Sequence, residues 1–372
     1  MRIRYWLGCC LLAIPFCSTT LAEDINQEMR KAGTALSELI PYIYNDDKFR
    51  AKENQAFIDT QLNQLISSMN SQPDLLQQHA IVRQISQSSL VSQLKQARHL
   101  FNTGSYATAQ YLLGSAPILC SSCHIQDGIV AKSAPSVSRD LFANDFSFAE
   151  FNYYIRNYPV AERAYLKYLK QQNVKTSRVM GGKTLERLLD ITLITDNNLT
   201  ESTNKLTDYR NIKGLDFDLQ QRIDQWLRGI QNVSAVPDSS ASIEAQISTE
   251  FGADFNLKHE FIFDEAKRPL ALAWRSRLQK QMLVSHDRID TARNLYLISI
   301  LERILGEQTE LSLANLYLKE CVQLAVADYS HRCLNEFESH LYFYYGGSSG
   351  EEPPPEAVRE IRQLRKQLKK GI

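Results

Sequence analysis

No stretch of this chain holds about 20 apolar residues in a row, so none is long enough to cross a bilayer as a helix. The longest apolar run, "YWLGCCLLAIPFC", is shorter and starts at Tyr5. An excess of one charge is missing too. Across 372 residues, 42 Lys and Arg stand against 42 Asp and Glu, so the whole-molecule field gives no reason to expect a polyanion such as nucleic acid as partner, while local patches stay open. Alternating runs of β-branched residues are absent, which argues against sheet. There is no glycine loop of the phosphate-binding kind: "GGSSG" runs straight into acids and prolines and marks a turn. Nor is there a recognisable nucleophile, base and orienter set. His286 in "SHD", His331 and His340 stand apart from any motif, and His79, beside a glutamine pair, is expected to face solvent.

Cysteine is scarce, at seven residues, and three of them fall near the start. Arg2 and Arg4, the apolar run and the small residues "TLA" before Glu23 have the layout of a secretory signal, with cleavage expected after Ala22. Cys9 and Cys10 raise the alternative of a lipoprotein anchor, but Trp6 stands where such a signal wants an aliphatic residue. Removing residues 1–22 takes away two arginines and no acid, leaving 40 basic and 42 acidic side chains. It also leaves Cys120, Cys123, Cys321 and Cys333. The expectation is a soluble, exported, periplasmic protein, whose free thiols would oxidise unless something else claims them.

What is abundant is helical periodicity, and the fold class it predicts is all-α. Met29, Gly33, Leu36, Ile40 and Ile43 form one stripe, and Ile58, Leu62, Leu65 and Met69 a second. Ile85, Val91, Leu94 and Phe101 form a third that stops at Gly104. Tyr106, Ala109, Leu112, Leu113, Ala116, Leu119 and Cys120 form a fourth. Four amphipathic helices over residues 23–132, broken near "NDDKF" and "SQPD", predict an antiparallel four-helix bundle. Over 146–233, "AEFNYYIRNYPVAERAYLKYL" has the small-and-aromatic alternation of a helical hairpin, with Ala149, Tyr154, Ala161 and Tyr165 as packing positions. Residues 234–250, small, polar and broken by Pro237, predict a linker or long loop. Helical patterning fills 251–372 and ends in a charged helix from Glu356 to Lys369.

The chemistry is concentrated in "CSSCH", residues 120–124. On a helix, Cys120, Cys123 and His124 project from one face. Two thiols there can bond the two vinyl groups of one porphyrin, and the imidazole then lies where it can bind iron. A thioredoxin-like redox motif would need a preceding strand, and a zinc site would need a second ligand pair close by. One covalently attached haem c is therefore the cofactor expected. Cys321 and Cys333 flank "VQLAVADYSHR", the end of one helix, a turn at about Asp328 to Ser330 and the start of the next, and predict a structural disulfide.

"ARHLFNTGSYATAQYLLGSAPILCSSCH" and "EMRKAGTALSELIPYIY" resemble the class II c-type cytochromes, meaning cytochrome c prime and its low-spin relatives. The resemblance covers about residues 24–130. It implies a first helix ending at Pro41 and an attachment motif near the end of the fourth helix. Its distal iron position falls on Met29. A methionine at that place binds iron in the low-spin members, whereas an apolar residue leaves iron five-coordinate in the gas-binding ones. Met29 as core filler, His99 in the third helix, and Met180, placed downstream as in a class I cytochrome, remain alternatives. The function implied is electron transfer by a non-enzymatic carrier, with the helical region beyond residue 146 docking a redox partner protein and the bundle offering a surface for a homodimer. The alternative is a five-coordinate haem sensor for nitric oxide or carbon monoxide.

Overall fold

The computed structural model describes residues 18–70, 81–123, 137–195, 198–251, 264–305, 313–346 and 352–371. Among them the chain is all-α. The first helices are α1 (Ser18–Ile43), α2 (Asp46–Arg50), α3 (Lys52–Asn70), α4 (Ile81–Asn102) and α5 (Tyr106–Cys123). Four long helices share one core, made by Ala32, Ala35, Leu39, Ile58, Leu62, Leu90, Leu94, Leu112 and their neighbours. Successive helices run antiparallel. Tyr42 stacks on Phe57 across α1 and α3, at 5.5 Å between ring centres. Between α3 and α4, the Arg98 Nε donates to Asp59 at 2.7 Å and the Gln87 amide donates to the Met69 carbonyl at 2.6 Å. Between α4 and α5 the Gln93 amide donates to the Leu112 carbonyl at 2.6 Å. Gly104, at φ +84°, makes the tight turn between that last pair.

Three local expectations are corrected in this region. α1 does not stop at Pro41 but carries it inside and continues to Ile43. "NDDKF" is not a simple break: Asn45 caps the short helix α2 by accepting from the Lys48 amide at 3.1 Å, and Phe49 seals the core. The face of α1 that enters the shared core runs through Ala32, Ala35, Leu39 and Ile43, while Ile40 turns the other way. There it joins Phe142, Phe151 and Ile155 in a separate apolar patch, so α1 is buried on two sides.

The remaining helices are α6 (Asp145–Tyr154), α7 (Tyr158–Leu169), α8 (Gln172–Lys175), α9 (Arg178–Thr195), α10 (Leu199–Arg210), α11 (Phe217–Gly229), α12 (Ser240–Phe251), α13 (Arg268–Val284), α14 (Arg288–Leu305), α15 (Leu313–Gln323), α16 (Ala327–Tyr345) and α17 (Pro355–Gly371). They surround a second core that includes Tyr165, Leu188, Trp226, Trp274, Leu301 and Phe337. Ala149, Ala161 and Tyr165 are fully buried between α6 and α7, whereas Tyr154 is only half-buried. Where 234–250 predicts a linker, the structure forms α12, because Ile243 and Ile247 lie one turn apart and both reach the second core. The two cores meet where α5 packs on α6 and α4 packs on α13 and α14. Leu316 of α15 packs against the first core, and the Ser89 hydroxyl of α4 donates to the buried Glu320 carboxyl of α15.

Candidate functional site

The candidate site lies at one end of the four helices, and hydrogen bonds at the other end fix the register. The Gln110 amide of α5 donates to the Ile43 carbonyl of α1 at 3.2 Å, and the Tyr44 hydroxyl donates to the Gly114 carbonyl at 3.3 Å. From that junction Met29 lies fourteen residues back along α1, and Cys123 lies thirteen residues forward along α5. At about 1.5 Å of rise per residue, both stand about 20 Å away at the same end of two antiparallel helices. Cys120 and Cys123 occupy the last turn of α5, and His124 lies outside the described residues.

Met29 is half-buried and packs against the four-helix core. One turn nearer the junction, a Cβ added at Gly33 would meet no described atom within 4 Å. A soft sulfur donor and a cysteine pair at the same level fit a covalent haem. α1 begins at Ser18, so removal of residues 1–22 would trim its first turn and leave Met29 about two turns inside the helix.

The other candidate ligands are not brought to that end. His99 is exposed on α4 and lines an open groove of about 460 Å³ with Asn63, Ile66, Lys95, Arg98 and Asn102. The α4–α5 register sets His99 level with the start of α5, so the full length of that helix separates it from Cys123. Met180 is half-buried on α9 and packs in the second core instead. His79 lies outside the described residues, and His286 and His331 are exposed. His340 is fully buried, with its Nδ1 2.7 Å from the Asn315 Oδ1. Burial and the nearby Arg303 push its pKa down to about 4, so it is a neutral core histidine.

The predicted disulfide is present, bonding Cys321 of α15 to Cys333 of α16, with Cα atoms 6.1 Å apart. The turn between them falls earlier than expected, at Leu324–Val326 and not at Asp328–Ser330. Ala325 adopts φ +50° there, and the Ser330 hydroxyl donates to the Cys321 carbonyl at 2.7 Å while accepting from the Val326 amide.

Sequence reasoning missed a buried charge network in the second core. Arg187 of α9 donates to both Glu150 oxygens of α6, at 2.8 and 3.2 Å, and its guanidinium lies 4.7 Å from the Tyr153 ring centre. The Tyr154 and Tyr165 hydroxyls also donate to Glu150, and Tyr153 donates to Asp190. Arg275 of α13 reaches both Asp190 oxygens at 2.6 Å and lies 3.6 Å from Glu302 of α14. Burial would raise the Glu150 pKa, but the charge and hydrogen bonds of Arg187 outweigh it and hold the carboxyl below its ordinary range. Glu302 goes the other way: burial raises it despite Arg275. Apart from the Arg275 Nε, which has no partner among the described residues, these groups pair with one another, so the network fastens helices together. Its sequence signal was Glu150 and Asp190, each set directly between apolar or aromatic neighbours, in "AEF" and "LDI".

No protein-family model matches this chain, and neither the curated proteins nor the solved structures include a detectable relative.

Proposed function

We propose that the protein is an exported monohaem c-type cytochrome of the class II kind, carrying electrons through a haem ligated by His124 and Met29. The observation that carries this reading is the shared level of Met29 and the Cys120–Cys123 turn. When bound, haem would supply a one-electron couple at its iron. Cys120 and Cys123 would tether the porphyrin, and His124 would be a ligand to its iron. Met29 would be the second ligand, its thioether favouring ferrous iron. The helical region beyond residue 146 would dock the redox partner. Packing of α4 against α13 and α14 supports this by fixing the haem-bearing helices to that region.

The test is a pair of substitutions in the purified ferrous protein. Met29→Ala should convert a carbon-monoxide-inert protein into one that binds the gas, while Met180→Ala should leave it inert. Carbon monoxide binding by the unsubstituted protein, unchanged by Met29→Ala, would instead favour the five-coordinate sensor.

A further inference from the structure

α17 carries six basic residues in a chain whose charges cancel overall. Ala357, Ile361, Leu364 and Leu368 are buried where this helix packs on α15 and α16. At 3.6 residues per turn these four share one side, and Arg362, Lys366, Lys369 and Lys370 share the opposite one. All four of those cations are exposed, and no carboxylate among the described residues pairs with them. The acids nearby are engaged elsewhere: Glu360 takes Lys319 at 3.0 Å and Glu338 takes Arg365.

We propose that this stripe, a local patch that the whole-chain charge balance leaves open, holds the protein against an anionic lipid surface. The helix cannot insert, because its apolar side chains are already committed to the fold. Every exposed side chain between Arg359 and Lys370 is arginine, lysine or glutamine. A protein partner would find no apolar centre on this helix, and lysine is depleted at such interfaces. A plane of lipid phosphates needs neither, since clustered Lys and Arg on an amphipathic helix adsorb to it by charge alone. A second copy of the same stripe would bring like charges face to face. Tyr342 of α16, exposed and one turn beyond Glu338, adds an amphipathic ring suited to the headgroup layer.

The full-length holoprotein should be sedimented with vesicles of phosphatidylcholine alone, and with vesicles in which about one third of the lipid is phosphatidylglycerol, at low and high salt. Binding to the anionic vesicles only, with release by salt, is expected. Each basic residue near such a surface multiplies binding about fivefold. Replacing Arg362, Lys366, Lys369 and Lys370 together with Gln should therefore weaken it by roughly several hundredfold. The same change at Lys48, Lys52, Lys95 and Lys170, exposed on other helices or at their ends, should leave it within about threefold. If the fourfold variant fails to fold, Lys369→Gln with Lys370→Gln in the last turn should still weaken binding by more than about tenfold. No binding to anionic vesicles, equal weakening by the control set, or capture only by an acidic protein would overturn the proposal.

Discussion

At the scale of single residues, a carboxyl group buried between two helices with a serine hydroxyl as its hydrogen-bond partner holds its proton more tightly than it would in water. Glu320 is such a group. Burial pushes its pKa up to about 7, against the smaller pull of the Ser89 hydrogen bond and the charge of Lys319. A carboxyl raised on folding stabilises the folded state fully only below its unfolded pKa, and that contribution is lost as pH rises through the folded value. The window is about pH 4.5 to 7. A Glu320→Gln variant cannot take up this charge. Relative to the unsubstituted protein it should gain on the order of 3 kcal/mol between pH 5 and 8, measured by urea unfolding followed by circular dichroism. A constant difference across that range would mean that Glu320 stays exposed to water. Nothing local in "LYLKECVQ" announces this behaviour, because it depends on Ser89, which lies 231 residues away in sequence and faces Glu320 only after folding.

At the scale of elements, the same division between local and long-range cause decides what the sequence made legible. The stripe Ile58, Leu62, Leu65 and Met69 is buried as its spacing predicts, and α17 spans the charged helix expected from Glu356 to Lys369. Each shows a single apolar face, so periodicity alone is sufficient. α1 misled because it is buried on two faces, which shifts its core stripe by one position and sends Ile40 to Phe142 and Phe151. α12 misled because its serines and alanines have loop composition, and only Ile243 and Ile247 reveal the buried side. The candidate site was half legible: the cysteine spacing pointed to one helix end, but the places of His99 on α4 and of Met180 in the second core depend on how the helices pack.

The disulfide also belongs to this scale, since it joins α15 to α16 across twelve positions of sequence. A loop of that length predicts that Cys321→Ala with Cys333→Ala lowers stability by about 3 kcal/mol. The absorbance spectrum of the double variant should be unchanged, because the bridge lies in the second core and away from Met29. A spectral change accompanying the loss would contradict a purely structural role.

At the scale of the whole molecule, two helical cores are joined along α4 and α5, and an apolar patch around Ile40 ties α1 to α6. The candidate haem end belongs to the first core, and the second contributes a rigid, charge-stapled body behind it. That division suits a carrier whose redox group sits at one end of a bundle and whose larger part sets where the carrier rests. The claim underlying it is a covalent haem closed on both faces, by His124 and by Met29. Its most direct test is the absorbance spectrum of the purified protein, oxidised and then reduced, followed by addition of carbon monoxide. A low-spin spectrum in both states, retention of the haem after denaturation and no response to carbon monoxide are predicted. Protein without covalent haem, or a high-spin ferrous form that takes up carbon monoxide readily, would contradict it.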